Sequence, residues 1–357
     1  MPEAMVRLDA VEKSYGGVRA LVPTSLEIGK GEFVTLLGPS GSGKTTILNL
    51  ISGSIRASGG AVWIGGRDVT RLPPNQRELG MVFQNYALMP HMSVFENIAF
   101  PLRVRRQSES EIRRKVDEVL DVIQLTGYET RKPKELSGGQ QQRIAIARCL
   151  VYNPDLILMD EPLGALDKKL RDQLQLEIKR IHRQLGVTLL YVTHDQSEAL
   201  VLSDRVCLMN AGRVEQLGTP SELYFKPRSV FAADFLGESN ILDAAITSKG
   251  KLATVTTPEG FSIAGVEATN GATSKARIMI RPESLLVTPA DGKAKSSVEG
   301  IVEDVTLTGG VVDIRVRLRE GRVLSARRLT TRDFRAMEPG QSVALSVAPC
   351  DVVVLEQ

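Results

Sequence analysis

Cysteine is scarce in this chain. Three occur in 357 residues, Cys149, Cys207 and Cys350, an odd number without metal-type spacing. Disulfide stapling is thereby set aside, and a reducing compartment with packing roles for the cysteines fits best. Nor is there any run of about 18 apolar residues, so no segment reads as spanning a bilayer by itself. The opening MPEAMVRLDAVEKS carries no apolar stretch of the kind a secretory signal needs. An excess of one charge is missing too. Lys and Arg number 45 against 42 Asp and Glu, a net +3, which argues against a protein that coats nucleic acid or an anionic membrane. Low-complexity tracts are absent. What remains is an ordinary globular composition, 42% hydrophobic and 24% charged. It can bury a sizeable core in two or three compact units, as expected of a soluble cytoplasmic protein.

Apolar runs alternate with helix-period stretches over the first two-thirds, the pattern of an α/β sheet. Phe33–Leu37, Leu156–Asp160, Thr188–Val192 and Arg205–Met209 are short, apolar and rich in branched residues, and read as strands buried on both faces. Capping boxes are expected to open helices at Ser93 with Glu96, Ser108 with Glu111, and Asp195 with Glu198. Thr219-Pro220 with Glu222 marks another, with proline at the first helical position. The texture changes between Leu236 and Asn240. Beyond it come short strand-like runs: Ala276–Ile280, Gly300–Thr306, Val311–Leu318, Val323–Ser325, Ser342–Ser346 and Val352–Leu355. Gly309-Gly310 and Glu320-Gly321 punctuate hairpins there. The expectation is an α/β domain over residues 1–236 and a small all-β domain over 237–357.

Chemistry concentrates at three places. Gly38-Pro39-Ser40-Gly41-Ser42-Gly43-Lys44-Thr45-Thr46 follows one strand and opens a helix expected over Thr45–Ile51. Glycines let successive N–H groups curl around phosphate oxygens, and the helix N-terminus adds a favourable field. Lys44 supplies charge for the β- and γ-phosphates, and Thr45 offers a hydroxyl to Mg2+. Leu156–Glu161 is a buried strand ending in two carboxylates. Asp160 stands where it can hold Mg2+, and Glu161 where it can polarise water for attack on a γ-phosphate. The bland reading of that pair, a solvated acidic turn, weakens once a phosphate loop lies upstream. Leu136-Ser137-Gly138-Gly139-Gln140 precedes a helix-forming run, Gln141–Leu150. Ser137 and Gln140 have capping-box spacing, and a helix start with a serine and two glycines reads as a second anion site. A plain helix cap would leave the two glycines unexplained.

With these motifs in order, residues 4–236 resemble the nucleotide-binding subunit of ATP-binding cassette (ABC) transporters. The resemblance implies a RecA-like core, an antiparallel β subdomain and a helical subdomain at about 86–152. It implies that Tyr15 stacks on adenine and that Gln84, in MVFQNYALMPHMSVFENIAF, faces Mg2+, the attacking water and the membrane partner. Ala165-Leu166-Asp167 matches the loop that crosses between cassettes, and His194 in YVTHD matches a switch that senses the γ-phosphate. The family's usual serine before Ala165 is Gly164 here. ATP and Mg2+ are the implied cofactors. Ser137, Gly138, Gly139, Gln140 and Asp167 would reach the ATP of a second, head-to-tail copy. Tyr15 could instead cover a β-edge, and His91 and His182 read as structural. Arg103, Arg105, Arg106, Arg113, Arg114 and Lys115 read as a solvated helical face, with contact to a membrane-bound partner as the alternative.

Arg281-Pro282-Glu283 with GIVEDVTLTGGVVDIRVRL resembles the transport-associated OB-type (TOBE) domain of one importer subclass, which serves sugars, polyamines, ferric iron, thiamine and sulfate. OB-type folds also bind nucleic acid by base stacking. Between 240 and 357, however, only Phe261 and Phe334 are aromatic, and 15 basic residues face 14 acidic ones, so no nucleic-acid partner is expected. Arg315, Arg317 and Arg319 alternate along one strand and share a face, read as solvated, as an interface or as an effector site, and the resemblance implies a regulatory role for this domain through dimer contacts or a small ligand. The resemblance implies a homodimer of ATPase subunits at the cytoplasmic face of the membrane. Its partners would be two permease subunits and, indirectly, an extracytoplasmic solute-binding protein. The stretches 162–181 and 235–242 look most like polyamine-type importers, then ferric-iron ones. A cassette ATPase acting on nucleic acid or ribosomes would carry a coiled coil or two cassettes, and this chain has one phosphate loop and no sustained heptads. A phosphate-loop kinase would leave LSGGQ and His194 unexplained.

Overall fold

A computed structural model describes residues 4–164, 166–249, 252–267, 275–290, 297–330 and 337–356. The chain divides into two compact units, Met1–Pro220 and Ser221–Gln357.

The first unit is organised by a six-stranded sheet. Its order is Arg213–Gly218, Arg205–Asn210, Phe33–Leu37, Thr188–Thr193, Leu156–Asp160 and Gly80–Val82. All neighbours are parallel except the first pair. The four strands expected from sequence are all present, and their interiors are buried throughout, with only terminal residues partly exposed. Successive side chains point to opposite faces of a strand. Phe33, Ile157, Met159, Leu189 and Tyr191 therefore enter one core, and Val34, Leu36, Leu158, Leu190 and Val192 enter the other.

The first core is roofed by helices Val94–Val104, Glu109–Val122, Gly138–Leu150 and Lys168–Leu185, which contribute Ile98, Leu102, Ile112, Val116, Ile144, Leu174 and Ile178. The second lies between the sheet, helix Lys44–Ser52 and a four-stranded antiparallel sheet of order Val18–Gly29, Ala4–Tyr15, Gly59–Ile64 and Arg67–Asp68. The long first strand was not legible from the sequence. Its register shifts repeatedly, and Ala10 is left-handed at φ 46°, so alternation breaks along its length.

A buried arginine finishes the phosphate-loop helix. Arg77 donates to the last-turn carbonyls of Leu50 (2.7 Å) and Ile51 (2.8 Å) and to Leu72 (2.9 Å). A cation is favoured where helix carbonyls lack partners. Glycine follows at position 53 with φ 81°, and a Cβ there would stand 2.5 Å from Arg77 Nε.

The second unit is all-β apart from short helices. One antiparallel sheet runs Ser262–Glu267, Leu252–Thr256, Asn240–Lys249, Lys275–Ile280 and Val352–Leu355. The other runs Leu286–Pro289, Ser342–Ser346, Val298–Thr308, Val311–Leu318 and Val323–Leu329. Leu242, Val255, Phe261 and Ile278 of the first share one core with Val302, Ile314, Val316 and Leu345 of the second. Phe261 is therefore a core residue rather than a stacking platform; Phe334 lies outside the described residues. Of the basic stripe, Arg317 pairs with Glu303 and Arg319 with Glu299, so two of its three charges are matched on the surface.

The division into compact units falls at Pro220 rather than at 236–240, and Arg281 is one of the residues that join the intervening helices to the β structure. Its guanidinium is 3% exposed and donates to the carbonyls of Tyr224 (2.9 Å), Ala233 (3.0 Å) and Gly237 (2.9 Å) and to Ser239 Oγ (2.8 Å). Helices Pro220–Phe225 and Val230–Phe235 are thus tied to the β structure, and Ala233 packs on Met279 and Leu355. Composition assigned them to the first unit because helical periodicity continues through them. Replacing Arg281 by Ala strands several buried carbonyls, and we expect a loss of about 3 kcal/mol in the stability of the second unit. Denaturant unfolding followed by near-UV circular dichroism measures it; an unchanged midpoint would contradict the role assigned to this residue.

Candidate active site

Strand register brings the chemistry to one edge. Phe33–Leu37, Thr188–Thr193 and Leu156–Asp160 lie side by side, with Leu37 opposite Thr193 and Asp160 opposite Val192. The phosphate loop, His194 and the Asp160-Glu161 pair therefore leave the same carboxyl end of a parallel sheet, where α/β folds bind ligands.

The loop is built from positive-φ glycines: Gly38 at 153°, Gly41 at 77° and Gly43 at 100°. Gly38 is also enclosed, since a Cβ there would stand 2.2 Å from the Met209 carbonyl oxygen. Gly43 caps helix Lys44–Ser52, which begins one residue before its expected start. Ser40, Gly41 and Thr45 are exposed, Pro39 and Thr46 half-buried. Ser42 Oγ is buried without a hydrogen-bond partner. Lys44 folds back on the loop, donating Nζ to the carbonyls of Gly38 (2.8 Å) and Pro39 (2.9 Å). Burial pulls its pKa below the ordinary lysine value, and the nearby charges of Glu161 and Asp160 only partly offset this. Burial and the Glu161 charge push the Asp160 carboxyl up, against a hydrogen bond from the Thr45 side chain. One lysine thus faces two carboxylates in a confined, anion-accepting loop.

Hydroxyl and carboxylate oxygens of Thr45 and Asp160, already in contact, are hard donors of the kind Mg2+ takes. Among the described residues no group of three His, Cys, Asp or Glu forms a metal cluster, so a cation here would lean on these oxygens and on substrate. Its charge would also relieve the burial of Asp160.

Glu161 sits in left-handed backbone at φ 43°, which costs a non-glycine residue roughly 1–2 kcal/mol. The turn is held by Glu161 N–H donating to Val192 O (3.0 Å). Its Oε1 stands 3.2 Å from His194 Nδ1, with the imidazole 59% exposed. The strain aims a carboxylate away from the sheet, toward solvent and the loop edge. Gly164 N–H donates to Glu161 O at 3.3 Å, and a Cβ at Gly164 would clear that oxygen by 3.6 Å. The missing serine is therefore not a steric exclusion.

Gln84 follows strand Gly80–Val82 and is exposed, with no hydrogen bond among the described residues. The next turn is strained, Tyr86 at φ 61° and Ala87 at φ 47°, and Arg148 holds it by donating to Tyr86 O (2.9 Å) and Ala87 O (2.6 Å). No sequence signal marked Arg148. Tyr15 is 49% exposed at the end of its strand, with Lys13 Nζ 4.8 Å above the ring. Its hairpin borders the phosphate loop, because the Ala20 carbonyl lies 3.2 Å from where a Gly43 Cβ would be.

Ser137 and Gln140 form the expected capping box: Ser137 Oγ accepts from Gln140 N–H (3.4 Å) and Gln140 Oε1 from Ser137 N–H (3.0 Å). The helix starts at Gly138 rather than Gln141. The glycines have a packing cause as well as the anticipated anion role, since Cβ atoms at 138 and 139 would press on Leu166 (3.1 Å) and Leu170 (2.9 Å). Asp167 caps helix Lys168–Leu185 through Leu170 N–H at 3.0 Å; Ala165 lies outside the described residues. Among the described residues no hydrogen bond joins Ser137 to the Lys44 loop; its hydrogen bonds are those of the capping box with Gln140.

The remaining candidates are structural, as read. His182 Nε2 donates to Gly31 O at 3.1 Å, and the ring packs edge-on to Phe33, with its pKa lowered by burial. Cys149 and Cys207 are buried, their thiols pushed up to about 11 and about 12 by desolvation. In the basic run, Arg103 pairs with Glu109 and Arg114 with Glu118, while Arg105 lies on the Tyr152 ring.

A glycine-built anion loop with a buried lysine, set beside a strand-end carboxylate pair, defines a phosphate-loop nucleotide-binding protein of α/β type. Comparison with known proteins agrees in detail. Residues 21–164 match the ABC transporter family and residues 278–355 the TOBE domain. The spermidine/putrescine import ATP-binding protein PotA of Nitratidesulfovibrio vulgaris is 44% identical, covering 96% of this chain and 95% of that protein. The protein of that name from Acidothermus cellulolyticus is 48% identical over 85% of this chain and 81% of its own length. Among solved structures, cbiO1 from Clostridium perfringens, part of the ABC transporter complex cbiONQ, superposes with TM-score 0.59 and 27% identity over 66% of this chain and 93% of its own. A dimeric ATP-binding cassette in a post-hydrolysis state, bound to ADP and Pi, gives 0.54 and 36% identity over 60% of this chain and 99% of its own. The chain belongs to the ABC transporter ATP-binding family, with a TOBE domain at its C-terminal side.

Gly38→Ala would drive a methyl group into the Met209 carbonyl. We expect it to cost about 2 kcal/mol of stability even without nucleotide. Thermal unfolding of the nucleotide-free protein reads this, and an unaltered midpoint would mean that the loop relaxes freely.

Proposed function

We propose that this chain is the ATP-binding and ATP-hydrolysing subunit of an ABC import system for polyamines, spermidine and putrescine. The observation that carries the reading is the common strand edge from which Lys44, Asp160, Glu161 and His194 depart. The polyamine assignment is supported by relatives 40–48% identical over most of the chain that bear that name.

In this reading the backbone N–H groups of Gly38–Thr46 receive the phosphates of ATP. Lys44 gives up its two carbonyl partners for the β- and γ-phosphates, and Tyr15 lies against adenine. Thr45, Asp160 and Gln84 would hold Mg2+, which spreads the phosphate charge and favours in-line attack. Glu161 orients the attacking water and takes its proton, and His194 holds that carboxylate and meets the γ-phosphate. Two copies pair head to tail, each lending Ser137, Gly138, Gly139, Gln140 and Asp167 to the ATP of the other. That pairing is closed and symmetric, so two equivalent sites form. No helix among the described residues is long and apolar enough to cross a membrane. In this reading the solute passes through two integral-membrane permease subunits, with this chain at their cytoplasmic side and Gln84 and its Arg148-braced turn coupling the site to them. An extracytoplasmic solute-binding protein would deliver the polyamine.

Glu161→Gln keeps shape and hydrogen bonding but removes the base. We expect MgATP binding to persist, turnover to fall by about two orders of magnitude or more, and an ATP-dependent dimer to accumulate. Turnover assays and sedimentation with MgATP test this, and near-normal turnover in Glu161→Gln would falsify the assignment. A bulky residue at Ser137 should prevent that dimer while sparing nucleotide binding by the monomer. Chelating Mg2+ should abolish turnover reversibly. For the solute, deleting the gene should remove uptake of labelled spermidine or putrescine; intact polyamine uptake beside lost ferric-iron uptake would redirect the assignment.

A further inference from the structure

One guanidinium joins the turn that carries His194 to the segment Leu166–Asp167. Arg171, in the first turn of helix Lys168–Leu185, donates Nη2 to Leu166 O at 3.0 Å and Nη1 to Asp195 Oδ2 at 3.1 Å. Its Nε is buried without a hydrogen-bond partner, 3.8 Å from Glu198 Oε1. Asp195 adjoins His194 and caps helix Gln196–Leu202 through Oδ1, which accepts from Glu198 N–H at 3.2 Å.

Behind them Glu198 is 2% exposed and accepts from Tyr191 OH (2.9 Å) and Thr193 Oγ1 (2.7 Å), and Thr193 Oγ1 accepts from Asp195 N–H (3.0 Å). The sequence pattern assigned Glu198 to a capping box, but its carboxylate turns inward to this network instead. Both neighbours of His194, Thr193 and Asp195, are therefore fixed by hydrogen bonds. The imidazole itself is exposed, and among the described residues the carboxylate beside it is that of Glu161, 3.2 Å from Nδ1.

We infer that Arg171 is a positioning residue for hydrolysis, a strut that holds the His194 turn and the Leu166–Asp167 segment in one fixed relation. The guanidinium suits this because its donors lie in a rigid plane and serve two acceptors from different elements at once; a lysine ammonium cannot span them in that way. Burial already pushes the Glu198 carboxyl up while the Arg171 charge opposes the shift, so losing the arginine would leave a buried acid without its cation. The first turn of the same helix also places Leu170 against Gly139, so the strut reaches both the histidine turn and the start of the Ser137 helix. This inference rests on the proposed ATPase reading.

The test compares Arg171→Ala, Arg171→Lys, Asp195→Asn and the Arg171→Ala/Asp195→Asn double variant in the full-length protein, with Glu161→Gln alongside. We expect kcat to fall about tenfold or more in Arg171→Ala while KM for MgATP stays within about threefold, because misplacement harms the reacting geometry more than binding. Arg171→Lys should regain most of the melting temperature but little of kcat. The double variant should be no slower than the slower single variant, the mark of residues acting as one unit. Unchanged kcat with only a lowered melting temperature, or fully additive losses, would overturn the strut. If Glu161→Gln keeps its turnover, the hydrolytic reading itself fails. If Glu161→Gln is inactive while Arg171→Ala is normal, this inference fails alone.

Discussion

Burial of parallel strands on both faces is the constraint from which the rest of the first unit follows. A strand such as Phe33–Leu37 has no face that can meet water, so it needs cover above and below. Each large side chain so enclosed contributes roughly 1.5–3 kcal/mol relative to exposure. Alternation sends Phe33 and Tyr191 into one core and Leu36 and Val192 into the other, which leaves the strand no freedom to slip by one residue. With register locked, the strand ends are locked too. Three loops that must cooperate then start from adjacent fixed points. A site that needs sub-ångström placement is thus mounted on the most rigid part of the fold.

At that edge the electrostatics are left unfinished within the chain. Asp160 and Glu161 repel each other and are partly desolvated, and Lys44 is itself weakened as a base by burial. Such an arrangement gains from added charges of both signs, phosphates at the loop and a divalent cation at Asp160. The left-handed backbone at Glu161 belongs to the same economy. Strain there is held by the Val192 carbonyl and spent on the direction of one carboxylate.

Arginines recur as the device that fastens irregular backbone. Arg77 closes the end of the phosphate-loop helix, Arg148 braces the strained turn after Gln84, Arg171 joins two loop segments, and Arg281 gathers five acceptors in the second unit. In each case the partners include carbonyls with no place in a helix or sheet ladder. An unmatched buried carbonyl is expensive, and a planar cation with five donors can satisfy several at once.

Much of this was readable from residues in line. The four central strands, the phosphate loop, the capping boxes at Ser93 and Ser137, and the hairpin at Gly309-Gly310 each announce themselves within a few residues, because strand burial, helix capping and turn geometry are local physics. The long bulged strand Ala4–Tyr15 did not, since broken register hides its alternation. Nor could the sequence show that helices Pro220–Phe225 and Val230–Phe235 join the β structure, because the contacts that tie them, Arg281 with Tyr224 and Ala233, and Ala233 with Met279 and Leu355, lie some 45 residues or more further along the chain. The Glu198 carboxylate shows the limit most plainly: its spacing predicts a cap, yet it accepts from the buried hydroxyls of Tyr191 and Thr193, and the Asp195 N–H donates to Thr193 Oγ1 instead. Sequence alone determined which residues could do phosphate chemistry. Which of them stand together was decided by the order of strands in the sheet, a choice made by burial on both faces and carried by no local signal.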